Sequence, residues 1–270
     1  MLQAIYTKFC SSEVKRSGKP IEKANFWKKR MHKEVEYRMS NIERRISNKE
    51  LAVYIEHTLL DATATKEQIK QLCEQAKTYG FHTVCVNGRW LALVAELLAG
   101  SKVGVGGVVS LPLGADSTKI KAAQARDAIF AGADEIDMVA DLASIIEGDS
   151  NYLADQLASV LKVCRSMRPA VVLKVIIESA ALNNEQKIFA CQIAQGVGVD
   201  FIKTSTGLHP AGGATVEDIK LMKETAPGCK IKAAGGIRTA KQALDMLAAG
   251  AQRIGTSSGV QIMTEFKAGQ

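Results

Sequence analysis

From about residue 50 onward, the sequence repeats one pattern: a short apolar strand segment, a turn and a helical segment. Strands that are each followed by a helix pair in parallel and are buried on both faces. Eight such units predict a (β/α)₈ TIM barrel, and the alternative is an open doubly wound sheet. No GxGxxG motif follows the first strand, which favours the barrel. The predicted strands are Tyr54–His57, Thr83–Val86, Gly104–Val109, Glu135–Val139, Val171–Ile177, Phe201–Thr204, Lys230–Ala233 and Arg253–Gly255.

The sequence also predicts where several helices begin and end. A Thr followed three residues later by Gln is a capping box, and a Thr with Asp at that spacing is a looser version of it. These pairs are Thr65 with Gln68, Thr239 with Gln242 and, in the looser form, Thr215 with Asp218. A glycine that supplies a left-handed cap leads from helix to strand at four positions. These glycines are Gly80, Gly132, Gly198 and Gly250.

The charge of the chain is unevenly distributed. Residues 1–50 contain 13 basic and 6 acidic residues, whereas the remaining 220 contain 22 of each. The predicted barrel domain, residues 49–270, gives no reason to expect nucleic-acid binding. No apolar stretch approaches the roughly 20 residues that span a membrane, so no membrane partner is expected.

Residues 1–48 form a basic N-terminal extension, helical in part or disordered, and its role is left open. Its helical stretches, from 24 to 46, lack a consistent apolar face. One interpretation is a targeting or binding segment, and a second is a basic helix that attracts nucleic acid or anionic surfaces. A third is that translation of the native protein starts at Met39.

Cysteine and histidine spacing predicts no metal site. The six cysteines form no CxxC or CxxH motif, and the four histidines show no paired ligand spacing. The cysteines are expected to be small buried side chains in a reducing compartment, which favours the cytoplasm.

Two lysines stand near the ends of predicted strands. Lys203 lies in the run GVDFIKTSTG and Lys232 in the run CKIKAAGGIRT. A lysine in an apolar strand either finds a charged partner or loses its proton, and a neutral lysine is a nucleophile toward carbonyls. Two ammonium groups about 4 Å apart repel by roughly 4 kcal/mol at an effective dielectric near 20. Lowering a lysine pKa from about 10.4 to about 7 takes roughly 4.6 kcal/mol, so repulsion from Lys232 could leave Lys203 largely neutral.

Three further charged residues fall on or beside these apolar strands. Asp137, in DEIDMV, either neutralises a nearby lysine or shuttles protons beside a Schiff base, and spacing alone does not decide. Lys174 and Glu178, in LKVIIES, are four residues apart and are predicted to form an inward ion pair. The role of this pair would be to orient other groups.

Two turns rich in glycine and serine follow the last two predicted strands. They contribute Gly235 and Gly236 after the seventh strand, and Ser257 and Ser258 after the eighth. TIM barrels commonly bind phosphate at this place through backbone N–H groups and hydroxyls. We therefore expect a small phosphorylated substrate with a reactive carbonyl.

Taken together, these segments resemble deoxyribose-phosphate aldolases, which are class I (Schiff-base) enzymes, over essentially all of residues 50–262. The resemblance is highly specific because many ordered motifs agree. These are YIEHTLL, FHTVCVNGRW, SLPLGA, ARDAIFAGADEIDMV, LKVIIES, DFIKTSTG, KAAGGIRT and RIGTSSG.

The resemblance implies that Lys203 forms the imine, that Lys232 tunes it, and that Asp137 moves protons through a bound water. Residues of three turns would bind the substrate: Thr206 and Gly207, Gly235 and Gly236, and Ser257 and Ser258. The implied reaction is the reversible cleavage of 2-deoxy-D-ribose 5-phosphate to D-glyceraldehyde 3-phosphate and acetaldehyde, without cofactor or metal. A homo-oligomer, either dimer or tetramer, is also expected.

Some positions depart from the family pattern. Glu56 stands where the family usually has aspartate. Its extra methylene shifts the carboxylate by about 1 Å, which could disturb its contact with the lysines. Cys85 aligns with a family cysteine near the pocket, either as a packing residue or as a supporting one.

The sequence is also compatible with two other functions. One is a different Schiff-base aldolase or transaldolase acting on another phosphosugar. The other is a non-catalytic phosphosugar-binding barrel in which both lysines stay protonated.

Overall fold

A closed ring of eight parallel strands forms the centre of the computed structural model, which describes residues 47–166 and 169–269. Each strand pairs with the next along the chain, and β1 pairs with β8 to close the barrel. The strands are β1 Ile55–Leu59, β2 Thr83–Val86, β3 Gly104–Val109, β4 Glu135–Val139, β5 Val172–Ile176, β6 Phe201–Lys203, β7 Lys230–Ala234 and β8 Arg253–Thr256. The prediction of a TIM barrel is confirmed, and the predicted strand ends differ from the observed ones by at most two residues.

Helices surround this barrel in the order expected for alternating units. They are α1 Asn48–Ala52, α2 Lys66–Tyr79, α3 Leu91–Leu98, α4 Thr118–Phe130, α5 Leu142–Glu147, α6 Ser150–Arg165, α7 Asn184–Val197, α8 Val216–Thr225, α9 Ala240–Ala249 and α10 Gly259–Ala268. Short 3₁₀ helices occur at Gly88–Trp90 and Ser179–Ala181. No helix in the described ranges is long and apolar enough to cross a membrane.

The predicted helix starts and ends are largely observed. Thr65 with Gln68 and Thr239 with Gln242 form reciprocal capping boxes. Thr215 accepts a hydrogen bond from the backbone of Asp218, whose carboxylate instead binds Lys187 and Ser179. The four predicted glycines all have positive φ: Gly80 at 71°, Gly132 at 102°, Gly198 at 87° and Gly250 at 115°.

Strand β4 shows how the core is divided. Ile136 and Met138 are fully buried and alternate with Glu135 and Asp137, so they lie on the opposite face of the strand. Burying one such apolar side chain contributes about 1.5–3 kcal/mol. The apolar core therefore lies between strands and helices, and the carboxylates of β4 lie on the inner face of the barrel.

The prediction for the basic extension falls mainly on residues 1–46, which lie outside the described residues. At residue 47 the described chain begins with a capping box, in which Ser47 and Glu50 bond reciprocally at the start of α1. Leu51 and Ala52 of this helix are buried.

Candidate active site

Six charged side chains from five strands meet inside the barrel. All are buried, and the most exposed of them, Glu135, has a relative accessibility of 7%. They comprise the lysines Lys174, Lys203 and Lys232 and the carboxylates Glu56, Glu135 and Asp137. Strand β1 is not paired with β4, β5, β6 or β7, so Glu56 can reach their side chains only across the barrel interior, and these six form its polar centre.

Strand register explains why these residues meet. Asp137 of β4 lies beside Lys174 of β5, and Lys203 of β6 lies beside Lys232 of β7. Side chains at matching positions of neighbouring strands project to the same face. Four charges on adjacent strands are thereby brought to the same interior, although they are far apart in sequence.

Asp137 contacts all three lysines. Its Oδ2 accepts hydrogen bonds from Nζ of Lys203 and Nζ of Lys232, each at 2.7 Å. Its Oδ1 lies 3.2 Å from Nζ of Lys174. Burial alone would raise the pKa of Asp137, but the three ammonium groups hold this pKa well below its usual value. The group is therefore a carboxylate at neutral pH.

Glu56 reaches the same lysines from β1. Its Oε2 accepts a hydrogen bond from Lys174 at 2.7 Å and forms an ion pair with Lys232. Arg253 Nε lies 3.8 Å from Oε1 of the same carboxylate. The extra methylene relative to aspartate therefore does not remove the contact with the lysines.

Lys232 is held in its charged form by two carboxylates. Burial opposes the charge, but Asp137 and Glu56 together raise the pKa of Lys232 above its ordinary value, against a smaller opposing effect of Lys174. A positive charge thus persists next to Lys203, as the repulsion argument from the sequence requires.

The predicted ion pair between Lys174 and Glu178 is wrong. Lys174 instead binds Glu56, Asp137 and Glu135, and these carboxylates outweigh burial to hold its pKa well above the usual value. Strand β5 ends at Ile176, and Glu178 has a left-handed φ of 51°. Strand alternation does not extend to Glu178, so it does not share the face of Lys174.

Glu178 has a different structural contact. Both of its carboxylate oxygens lie 3.2 Å from the backbone nitrogen of Thr206. Glu178 therefore fixes the turn that follows Lys203, in which Thr206 and Gly207 are predicted to bind substrate.

Glu135 and its partners were not among the site residues predicted from the sequence. Glu135 forms an ion pair with Lys174 and lies 3.3 Å from Nε2 of His82, which in turn lies 2.6 Å from Nη2 of Arg253. Burial would raise the pKa of Glu135, but Lys174 and then His82 lower it well below its usual value. Alternation in EIDMV was a usable signal, because Glu135 and Asp137 are two residues apart and share a face.

Cys85 lies on β2, fully buried near this charged cluster. Burial and the charges of Asp137 and Glu56 raise the pKa of its thiol to about 11, although Lys232 and Lys203 oppose the shift. Cys85 is therefore a neutral thiol at neutral pH. Its role as a supporting residue stays a prediction.

The predicted substrate-binding turns follow the C-terminal ends of β6, β7 and β8. Gly235 has a φ of 94°, and a Cβ built there would lie 2.9 Å from Cα of Gly213 and 3.5 Å from Cα of Gly207. The backbone oxygen of Gly235 also accepts a hydrogen bond from Ala214 at 3.1 Å. Only glycine permits this close approach, so the turns after β6 and β7 form one surface.

The serine turn lies at the next strand end. Ser257 is exposed and Ser258 is half-buried, and both directly precede helix α10. Backbone N–H groups at a helix start favour anions. Among the described residues, no group of three or more His, Cys, Asp or Glu side chains is arranged to hold a metal ion.

The chain is similar to known aldolases over most of its length. A sequence model described as DeoC/LacD family aldolase matches residues 50–265. The deoxyribose-phosphate aldolase of Caldicellulosiruptor saccharolyticus is 46% identical over 221 residues, which cover 82% of this chain and 100% of that protein. The enzyme of the same description from Thermococcus gammatolerans is 48% identical over 217 residues, covering 79% of this chain and 95% of that protein.

A solved structure is similar over most of the barrel. The tetrameric structure of deoxyribose phosphate aldolase from Aeropyrum pernix superposes with a TM-score of 0.79 at 28% identity. The superposition covers 86% of this chain and 98% of that one.

Proposed function

This chain belongs to the DeoC/LacD family of aldolases, and from that premise we propose that it cleaves 2-deoxy-D-ribose 5-phosphate through an imine on Lys203. The products are D-glyceraldehyde 3-phosphate and acetaldehyde, and the reaction is reversible. One observation carries the proposal: the amines of Lys203 and Lys232 share a single buried oxygen of Asp137. That arrangement combines a nucleophile, a fixed positive charge and a proton acceptor.

Lys203 is the best-placed nucleophile of the three interior lysines. Its side chain keeps 4% of its accessible surface, compared with 1% for Lys232 and none for Lys174. It contacts one carboxylate, whereas Lys232 contacts two and Lys174 contacts three. Lys203 is therefore the amine that a substrate reaches most easily and the one with the fewest carboxylate contacts.

The chemistry follows from the electron demand of an imine. Neutral Lys203 adds to the aldehyde carbon C1, and loss of water with uptake of one proton gives a protonated imine. Removal of the proton from the C3 hydroxyl breaks the C2–C3 bond and releases glyceraldehyde 3-phosphate. The electron pair of that bond moves to the imine nitrogen and forms an enamine. Protonation at C2 and hydrolysis then release acetaldehyde and restore Lys203.

Asp137 and Lys232 support the proton transfers in this scheme. Asp137 is ionised and next to the imine nitrogen, so it stabilises the positive charge of the imine and relays protons between the hydroxyl and C2. Lys232 keeps its proton, and its positive charge is proposed to tune the reactivity of the Lys203 amine beside it.

The phosphate of the substrate is proposed to bind at the glycine and serine turns. Gly235 and Gly236 offer backbone N–H groups, and Ser257 and Ser258 add hydroxyls at the start of α10. Thr206 and Gly207 lie on the adjoining turn, whose backbone is bonded to Glu178. Binding the phosphate there leaves the aldehyde end free to extend toward Lys203.

Reductive trapping tests the proposal. Borohydride added with acetaldehyde or deoxyribose phosphate is expected to leave a stable adduct, which peptide mass spectrometry locates at Lys203. The adduct and the cleavage activity are expected to be absent from Lys203→Met and present in Lys241→Met, a control at a lysine that is 74% exposed. Activity is expected to survive EDTA. An active enzyme with no trapped adduct would refute the imine mechanism.

The same experiment separates the other functions. A different phosphosugar aldolase would trap a ketose in preference to deoxyribose phosphate. A non-catalytic barrel would bind phosphosugar with neither adduct nor cleavage. We also propose that the chain forms a homo-oligomer, on the basis of the tetrameric relative, and light scattering of the purified protein measures this directly.

A further inference from the structure

Besides the three interior lysines, a fourth buried lysine of the described chain lies outside the barrel interior. Lys121, on helix α4, has no accessible surface. Its Nζ donates hydrogen bonds to the backbone oxygen of Val139 and to Oε1 of Gln156, both at 2.8 Å. Both acceptors are uncharged, so Lys121 is held in a way that differs from the ion-paired lysines of the cluster.

Gln156 connects this lysine to the chain that follows β4. It is fully buried on α6, and its Oε1 also accepts a hydrogen bond from the backbone nitrogen of Asp141 at 3.0 Å. Lys121 and Gln156 therefore hold both ends of the segment 139–141. This segment begins at the last residue of β4 and ends at the N-cap of α5.

A third element packs against the same segment. The turn after β3 approaches so closely that a Cβ built on Gly114 would lie 2.2 Å from the backbone oxygen of Ala140. The backbone nitrogen of Ala140 donates to Ile176 of β5. Segment 139–141 is thus enclosed from several sides, and it begins two residues after Asp137.

Stability alone does not favour a lysine at this position. Burial lowers the pKa of Lys121 to about 8, and the charges of Asp141 and Asp116 only partly oppose this shift. A buried ammonium without an ion-pair partner is unfavourable, and a well-packed apolar side chain of similar volume is often neutral or stabilising in its place. The hydrogen bonds to segment 139–141 are what a lysine provides and an apolar residue does not.

We infer that Lys121 is a positioning residue for the proposed aldolase reaction: with Gln156, it fixes the end of β4 and so holds the carboxylate of Asp137 against Lys203. This inference rests on the proposed function, because only that function gives the position of Asp137 a catalytic meaning. A misplacement of about 1 Å in a catalytic group can lower the rate on the order of 100-fold.

The test compares Lys121→Met with Lys119→Met, an exposed lysine on the same helix. Methionine keeps most of the length of lysine and removes its donors. For Lys121→Met we expect kcat for deoxyribose phosphate cleavage to fall by about tenfold or more, with KM within about twofold. Its melting temperature is expected to be equal to or above that of the wild type, whereas Lys119→Met matches the wild type throughout.

Hydrogen exchange provides a readout that does not depend on activity. Amides of residues 139–144 are expected to exchange about tenfold faster in Lys121→Met than in the wild type or Lys119→Met. If Lys121→Met does not fold, Gln156→Met serves in its place, because it removes the oxygen on α6 that accepts from Lys121 and from Asp141. This variant is expected to show the same fall in kcat and the same faster exchange. Gln156→Glu keeps the oxygen that accepts from Lys121 and from the backbone nitrogen of Asp141, and it is expected to retain activity.

The outcomes separate the two proposals. A wild-type protein without aldolase activity refutes the proposed function, while the exchange data still test whether Lys121 holds the segment. An active wild type with unchanged kcat in Lys121→Met overturns the inference. A fall in kcat that is fully explained by a loss of folded protein also overturns the inference. Unchanged hydrogen exchange at residues 139–144 overturns it as well.

Discussion

Replacing Gly255 with alanine tests whether the position of Lys232 matters for catalysis. Gly255 lies on β8, and a Cβ built there would be 3.0 Å from Cε of Lys232 and 3.1 Å from Cβ of Ala234. The backbone at Gly255 does not have positive φ, so alanine introduces no backbone strain. The added methyl group therefore acts only by crowding its neighbours, and the more mobile neighbour is Lys232.

The structure indicates the size of this effect. Optimal separation between carbon atoms is about 3.5–4.0 Å, so Lys232 must move by roughly 0.5–1 Å to accommodate the methyl group. Its ammonium group donates to Asp137 at 2.7 Å and also pairs with Glu56, and such a shift lengthens at least one of these contacts. Overpacking of this kind destabilises by about 1–3 kcal/mol. Displacing the charge beside Lys203 is expected to lower kcat by about 10- to 100-fold.

Steady-state kinetics and denaturant unfolding of Gly255→Ala measure both quantities. The matched control is Gly196→Ala, in helix α7, where a Cβ would meet nothing within 4 Å. That control is expected to gain about 0.5–1 kcal/mol in stability, because alanine suits a helix better than glycine, and to keep its kcat. A Gly255→Ala enzyme with wild-type kcat and folded at the assay temperature would refute the reasoning about Lys232.

Three further predictions concern the charged cluster. Glu56→Gln removes one of the carboxylates that offset the charges of the buried lysines. It is expected to lower the free energy of unfolding, measured by urea titration, by about 3–5 kcal/mol. A loss below about 1 kcal/mol would contradict the ion pairing. Asp137 and Glu135 have lowered pKa values, so they contribute stability above about pH 4 that is lost as the pH falls through their native pKa values. In acid unfolding, Glu135→Gln is therefore expected to show a smaller loss of stability below pH 4 than the wild type, and an identical loss would argue against the shift. Cys85, with a thiol pKa of about 11 and full burial, is expected to resist iodoacetamide at pH 8 in native protein and to react in urea, as followed by mass spectrometry.

The barrel was predictable because its strands are short and mostly buried, and four of them follow a glycine that ends the preceding helix. The strands around Cys85, Gly107 and Asp137 have the predicted ends. Glycine caps and capping boxes act through local backbone geometry, and they appear in the structure where the sequence placed them.

The ion pairs were less predictable because they depend on strands that are distant in the sequence. The spacing of Lys174 and Glu178 suggested a pair, but the chain leaves the strand conformation at Ile176. The actual partners of Lys174 come from β1 and β4, and one of them, Glu56, is 118 residues away. Local spacing contains no information about such contacts.

The sequence by itself determined the fold class and most of the candidate site residues, because strand alternation, helix capping and short motifs are local properties of the chain. The tertiary structure alone decided how the charges pair, since barrel closure sets which strands face one another across the interior. It brought Glu135 into the network, placed Glu178 against Thr206, and joined Lys203 and Lys232 at one oxygen of Asp137. The energies of buried charges depend on these distances and on burial, and both exist only once the barrel is closed.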